Sequence, residues 1–262
     1  DGIQSTFGGS TNIPSLPVGG IVNNIQVNKL ISGSLEGTPV GTYKTRLFGR
    51  ITQLTGRNVL YLQNTASADG NFEQPFISRL SANHQVIQVR KSDIPVVDFS
   101  QYDLIVISAL GTMTQTDVQR IVASGKPVIT MDNNLYSLIL VIQPNPQFIN
   151  TQIIIVNNQH YITQDFAIGG LEVGRENFQQ NPILIPRPNT EVLATTIQTV
   201  PLIITETLGN TDYVYFGMIN GALFYPSAWQ LFDRSVEWVL TTIIGNTVTP
   251  NFLIKAPLIP EK

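Results

Sequence analysis

The hydrophobic pattern alternates between strand-like and helix-like segments from Arg57 onward. Runs of branched apolar residues predict strands buried on both faces, and apolar residues three or four positions apart predict helices between them. Thr114 is a suitable N-cap for the second of these helices, and Gly125 ends it. Strand–helix–strand units of this length predict an α/β domain with a parallel sheet. The successive segments are RNVLYLQN, NFEQPFISRLSAN, HQVIQV, SQYDLIVISALG, TMTQTDVQRIVASG and PVITMDNN.

The second half of the chain is richer in predicted strands. QIIIVNNQHYIT indicates a strand followed by a loop, and EVLATTI, VPLIITET and DYVYFGMI indicate three more strands. PSAWQLFDRSVEWVLTTI has the apolar stripe of a helix that opens at Pro226–Ser227. We predict that Trp229 and Trp238, both on this helix, are core residues and not stacking platforms for a ligand.

The two ends of the chain have a different pattern. Residues 1–20 and 244–262 lack a helical period and carry several prolines and glycines, so we interpret them as extended arms. Residues 21–56 alternate only in part and predict a small β extension. The α/β domain is assigned to residues 57–243. The predicted fold class is therefore α/β, a flavodoxin-like parallel-sheet sandwich with an N-terminal β extension and extended terminal arms.

Composition excludes several classes of chemistry. Charged residues make up only 13% of the 262 residues, and the net charge is −3. Since no basic run occurs, nucleic-acid binding is not expected. There is no cysteine, which excludes disulfides, thiolate metal sites and a cysteine nucleophile. The longest apolar run, LYSLILVI at 135–142, is too short to span a bilayer. With no metal-ligand spacing and no phosphate loop, we expect no metal and no cofactor.

Five motifs in order carry a family resemblance. They are NVLYLQN, FSQYDLIVIS, SGKPVITMDN, IIIVNNQHYIT (with Tyr161 where proline is usual) and YVYFGMINGALFYPSAWQLFDRSVEWVL. Together they resemble the class I glutamine amidotransferase-like fold, and within it the ThuA-like branch. The resemblance covers about residues 57–243. In true amidotransferases a cysteine follows the Lys-Pro-Val strand. Here the corresponding turn is MDNN at 131–134, so glutamine hydrolysis by a thiol is excluded.

Four residues remain as candidates for catalysis. Asp132, in the MDNN turn, could act as a base or nucleophile if a partner activates it. His160 lies in the family-like loop, where a structural hydrogen bond is the favoured alternative. His84 begins a predicted edge strand and is interpreted as a surface residue.

Paired carboxylates could also do acid–base work. Asp69 and Glu73 flank the first β–α loop, at the end of a strand where α/β sheets place ligands. The favoured alternative is that both stabilise the start of the following helix. Glu206 is a further carboxylate that could pair with one of these groups.

Three functions remain open. The first is a non-catalytic structural subunit that binds copies of itself through its arms, since exposed sheet edges invite strand addition. An extracellular filament, a surface layer or a virion would suit the low charge, and the start at Asp1 favours a processed N-terminus. The second is a hydrolase acting on a carbohydrate or ester through the 131–134 turn. The third is a cell-surface carbohydrate-binding module that uses exposed aromatic residues such as Tyr136, Tyr161 and Tyr225.

Overall fold

The computed structural model describes residues 56–132, 141–144, 148–176, 178–186, 188, 190–209 and 211–244. The predicted N-terminal arm, the β extension up to residue 55 and the C-terminal arm from residue 245 lie outside these ranges. The description below concerns the α/β domain.

The helices of the described domain are α1 (Gln74–Ser81), α2 (Gln115–Ala123) and α3 (Pro226–Ile244). Short 3₁₀ helices occur at Lys91–Val96, Phe99–Gln101 and Gly221–Leu223. The strands are β1 (Asn58–Gln63), β2 (Gln85–Arg90), β3 (Leu104–Ile107), β4 (Val128–Thr130), β5 (Val141–Pro144), β6 (Phe148–Ile149), β7 (Gln152–Ile155), β8 (Gly169–Glu172), β9 (Gln179–Gln180), β10 (Ile183–Pro186), β11 (Glu191–Thr195), β12 (Pro201–Leu208) and β13 (Thr211–Phe216).

Nine strands form one sheet in the order β2-β1-β3-β4-β13-β12-β11-β7-β8. The α/β class is confirmed, but the prediction of a parallel sheet holds for half of it only. The first five strands are parallel, whereas every pair from β13 to β8 is antiparallel. Leu208 pairs with Thr211 across a two-residue connection, and so short a link can join only antiparallel strands. Gly209 supplies the positive φ of +62° that this turn requires.

Strand direction defines two edges of the sheet. Strands β1, β3, β4 and β13 end at what we call the carboxyl edge, and they begin at the amino edge. Because β7 runs antiparallel to β11, and β11 has the same direction as β4, β7 ends at the amino edge. The loop after β7 and Asp132, which follows β4, therefore lie at opposite edges of the sheet.

Apolar side chains fill both faces of the sheet, as the branched runs predict. One layer includes Val59 and Tyr61 of β1 and packs under α1 and α3. In that layer the Phe76 ring meets the Phe232 ring edge-on, with centroids 5.0 Å apart. Trp229 packs against the layer, and Trp238 belongs to it with 5% of its surface exposed.

The opposite layer contains Leu60, Ile105 and Ile121, the last from α2. Thr114 starts α2 as predicted. Its hydroxyl accepts a hydrogen bond from the N–H of Asp117, whose carboxylate accepts one from the N–H of Thr114.

Two small antiparallel ribbons, β5 with β10 and β6 with β9, lie outside the main sheet. The N–H of Asn181 donates to the carbonyl of Gly217 at 2.7 Å. The carbonyl of Asn181 accepts from the Tyr215 hydroxyl at 2.6 Å. These bonds fasten the segment before β10 onto the end of β13. No helix among the described residues is long and apolar enough to cross a membrane.

Candidate functional site

Asp132 stands directly after β4, at the carboxyl edge and in the middle of the parallel strands. Its N–H donates to the Thr130 hydroxyl at 3.1 Å, which fixes the turn. The side chain is completely buried. The turn thus places a carboxylate where α/β sheets commonly place reactive groups, but it turns this carboxylate into the protein interior.

Lys91 holds this carboxylate. Its ammonium group donates to Asp132 Oδ2 at 2.7 Å and to the carbonyls of Ser108 and Gly111 at 2.8 Å and 3.3 Å. The Lys91 and Asp132 side chains are at most 2% exposed. Burial lowers the pKa of Lys91, and the charge and hydrogen bond of Asp132 oppose that change. An ammonium group with three donors and three acceptors is satisfied, so the pair is a closed internal ion pair.

Gly111 allows the loop after β3 to supply one of these acceptors. Its φ is +75°, and a Cβ at this position would lie 2.3 Å from the side-chain oxygen of Asn64. Only glycine therefore fits where the loop after β3 meets the loop after β1.

The loop after β1 carries Asp69 and Glu73, and both carboxylates are used by this loop. Glu73 is 1% exposed and accepts hydrogen bonds from the N–H groups of Asn64 and Asp69 at 2.9 Å and 2.8 Å. Asp69 accepts from the N–H of Asn71 at 2.8 Å and closes a turn before α1. Glu73 is the N-cap residue of α1, yet its side chain makes no capping bond. We predicted that both carboxylates stabilise the start of α1. The Glu73 side chain does not cap this helix, because it accepts its hydrogen bonds from N–H groups of the preceding loop.

Glu73 and Asp132 are nevertheless brought near the same cation. The Glu73 carboxylate acts on Lys91 and favours its charged form. It also raises the pKa of the Tyr61 phenol, although burial is the larger cause. Ser108 offsets part of this shift, but no hydrogen bond of acceptable geometry reaches the Tyr61 hydroxyl from any described residue. The site is a buried electrostatic cluster.

His160 lies at the other edge of the sheet. Its Nδ1 accepts a hydrogen bond from the N–H of Ile162 at 3.2 Å, and its ring lies 4.9 Å from that of Trp238. Four strand spacings separate β7 from β4, about 19 Å across the sheet, and His160 and Asp132 are at opposite edges. His160 and Asp132 therefore cannot form a nucleophile–base pair.

The other candidates are also dispersed. Glu206 of β12 pairs with Tyr213, which pairs with the first residue of β4, so Glu206 lies towards the amino edge. Tyr161 is at the amino edge, where its hydroxyl donates to Glu237 at 2.6 Å. Tyr225 precedes α3 at the carboxyl edge and is 38% exposed, and Tyr136 lies outside the described residues. Tyr161 and Tyr225 thus do not form one binding platform.

His84 precedes β2 and is half-buried, so it is less exposed than a surface residue. Lys91 is the residue that the sequence analysis missed. A lysine that follows the strand QVIQVR has the pattern of a solvated strand end, and nothing nearby in the sequence indicates its partner 41 positions away. The one indication in the sequence that Lys91 is buried is the apolar residue Ile94, which follows it three positions later.

Comparison with known proteins identifies the fold. A putative ThuA-like protein from Bacteroides uniformis is 12% identical and superposes with a TM-score of 0.51, over 71% of this chain and 92% of that one. The chain has the class I glutamine amidotransferase-like fold. SMU.1228c is 13% identical with a TM-score of 0.47, over 70% of this chain and 99% of that one. A glutamine amidotransferase from Thermotoga maritima is 10% identical with a TM-score of 0.40, over 73% of this chain and 86% of that one.

No family model matches the chain, and no curated protein matches it. The predicted resemblance to the amidotransferase-like fold, in its ThuA-like branch, is confirmed by the superposition on the Bacteroides uniformis structure. At this level of identity the likeness concerns the fold and not the chemistry.

Proposed function

We propose that the chain is a non-catalytic structural subunit that assembles with copies of itself through its extended terminal arms. An extracellular filament, a surface layer or a virion is the setting that suits it. The observation that carries the non-catalytic part is the closed ion pair between Asp132 and Lys91. The residue that stands at the turn after the Lys-Pro-Val strand is buried and neutralised by a partner.

A nucleophile or general base must reach its substrate and must be activated by a neighbour. Asp132 has no exposed surface, and His160 is at the opposite edge of the sheet. The Glu73 carboxylate is engaged by two backbone N–H groups. These three facts favour a silent domain over the hydrolase alternative.

Support for assembly comes from the sequence of the arms and from the sheet. The N-terminal arm has one charged residue, Asp1, and both arms contain apolar residues between prolines, a composition that gains order through contact with a partner. Among the described residues, the main sheet ends in two edge strands with no further strand beside them, β2 and β8. Open edges are surfaces on which an extended segment can pair.

The test is the mass of the native particle, measured by light scattering, for the full chain and for a chain that lacks residues 1–20. We expect large, defined assemblies from the full chain and smaller particles from the truncated one, with unchanged circular dichroism of the domain. A full chain that remains a single chain at high concentration would contradict the proposal. A hydrolytic activity that disappears in Asp132→Asn while the circular dichroism of the variant is unchanged would support the hydrolase instead.

A further inference from the structure

We infer that β2 is the edge to which an arm binds, and that the occupant is the segment 251–256 (NFLIKA) from the C-terminal arm of a second copy. This inference rests on the proposed function and names the surface and the partner segment that the assembly uses. Four steps lead from the structure to it.

The first step is the direction of the backbone groups of β2. The N–H of Gln85 donates to the carbonyl of Arg57, on the side of β1. Since alternate residues of a strand face the same neighbour, Ile87 and Val89 also face β1, in the continuous register of this pair. Val86 and Gln88 therefore direct their N–H and C=O groups outward. No hydrogen bond among the described residues uses these outward groups.

The second step is that β2 carries no protection against pairing. Natural edge strands are shortened, bulged, or supplied with proline and lysine. β2 has six residues in unbroken register with β1, contains neither proline nor lysine, and has its only charge at the last position, Arg90. Its sequence QVIQVR is of the kind that pairs readily with another strand.

The third step is that the other edge of the sheet is a poorer acceptor. β8 has four residues and begins with Gly169 and Gly170. The chain around α3 covers its far end, because Ser227 donates to the carbonyl of Glu172 and the N–H of Tyr225 donates to the carbonyl of Val173. A long extended segment therefore has a six-residue strand to pair with at β2, with outward backbone groups at Val86, Gln88 and Arg90, and a shorter strand at β8.

The fourth step is the choice of occupant. The chain continues for 18 residues beyond Ile244, the last residue of α3. Within this arm, residues 251–256 lie between Pro250 and Pro257 and contain Phe252, Leu253 and Ile254. Six residues without proline match the six residues of β2. The N-terminal arm offers a weaker segment, because Ile3–Phe7 is its longest run without proline or glycine and has only two apolar residues.

The length of the chain after α3 sets the reach of the arm. Because α3 follows β13 and packs back along the sheet, Ile244 lies at the amino edge. Six residues lie between Ile244 and Asn251, so the seven Cα–Cα steps reach at most about 25 Å. An arm that pairs with the next copy in this way makes a head-to-tail contact, and such contacts build rings or filaments.

Gln88→Pro is the first variant that tests the inference. Proline removes one outward N–H of β2 but no bond to β1, and edge strands accept it. Gln88→Thr is the matched control, because threonine keeps the N–H and favours a strand. We expect light scattering to show the parent's assemblies for Gln88→Thr and smaller particles for Gln88→Pro. Assembly of Gln88→Pro to the parent's mass would overturn the inference and leave the proposed function in place. A parent protein that does not assemble would overturn both.

A second experiment does not depend on how Gln88→Pro folds. The protein has no cysteine, so two preparations, one with Gln88→Cys and the other with Leu253→Cys, can be mixed and oxidised. We expect a mixed disulfide dimer, and none when Gln115→Cys on α2 replaces Gln88→Cys. A mixed dimer can form only between copies. Its absence, with Phe252→Cys and Ile254→Cys equally unreactive, would overturn the inference.

Discussion

Removal of Lys91 breaks the buried ion pair of the candidate site. In Lys91→Met the Asp132 carboxylate stays buried but loses its cation, and the carbonyls of Ser108 and Gly111 lose a donor. Breaking a buried ion pair by removing one partner costs about 3–5 kcal/mol. For a domain of this size, this corresponds to a fall in melting temperature of about 10 °C.

The double variant separates the charge effect from simple loss of packing. Asp132→Leu alone leaves a buried ammonium group with two carbonyl partners. In Lys91→Met/Asp132→Leu neither of the two charges remains. The sum of the losses of unfolding free energy in the two single variants should therefore exceed the loss in the double variant by about 2 kcal/mol or more.

Urea denaturation followed by tryptophan fluorescence is a suitable assay. The chain has two tryptophans, and Trp229 and Trp238 both lie on α3 in the domain, so the signal reports this domain alone. With a slope of about 2 kcal/mol/M, the midpoint of Lys91→Met should fall by about 2 M. If the costs of the single variants add within about 0.5 kcal/mol, the ion pair has no coupling and the reasoning is wrong.

Three further predictions concern the same domain. Thr114→Ala removes the hydroxyl that accepts from the N–H of Asp117 and should lower the free energy of unfolding by about 1 kcal/mol. Thr114→Ser keeps a hydroxyl and should not lower it. Thermal unfolding of both variants checks this, and equal losses of stability would contradict the role of Thr114 as the N-cap. Burial raises the pKa of the Tyr61 and Tyr215 phenols, so the unfolded chain ionises first and the free energy of unfolding should fall as pH rises above about 10. Urea titrations from pH 8 to 11 should show a smaller fall in the free energy of unfolding for Tyr215→Phe than for the parent. At neutral pH the same variant loses the hydrogen bond to the Asn181 carbonyl and about 1 kcal/mol of stability. A pH profile equal to the parent's would contradict the raised pKa of Tyr215. Tyr61→Phe removes a buried hydroxyl that has no partner among the described residues, so its unfolding midpoint should equal or exceed that of the parent, and a marked loss would show that the hydroxyl is bonded.

The elements of the domain could be predicted because their signals are local. Branched runs marked β1, β3 and β4, and the apolar stripe of Pro226–Ile244 marked α3. Thr114, as a suitable N-cap residue, predicted the start of α2. Each of these signals depends on residues that are neighbours along one helix or one strand, so no knowledge of distant contacts is needed.

The mixture of parallel and antiparallel strands in the sheet was harder to predict from the sequence. Strands that follow one another with short links can pair next to each other or insert elsewhere, and periodicity does not distinguish these choices. The ribbons β6 and β9 have two residues each, too few for any pattern. Their position is decided by contacts with distant segments, such as the bond between Asn181 and Gly217.

The sequence by itself determined the α/β class, the resemblance to the amidotransferase-like fold and the loss of thiol chemistry, since the first two follow from ordered local patterns and the third from the absence of cysteine. Only the tertiary structure decided that Asp132 is buried against Lys91 and that His160 lies at the opposite edge. Burial and pairing of charges depend on which segments meet in space. Lys91 and Asp132 meet because β2 and β4 end at the same edge, whereas β7 reverses direction and carries His160 away.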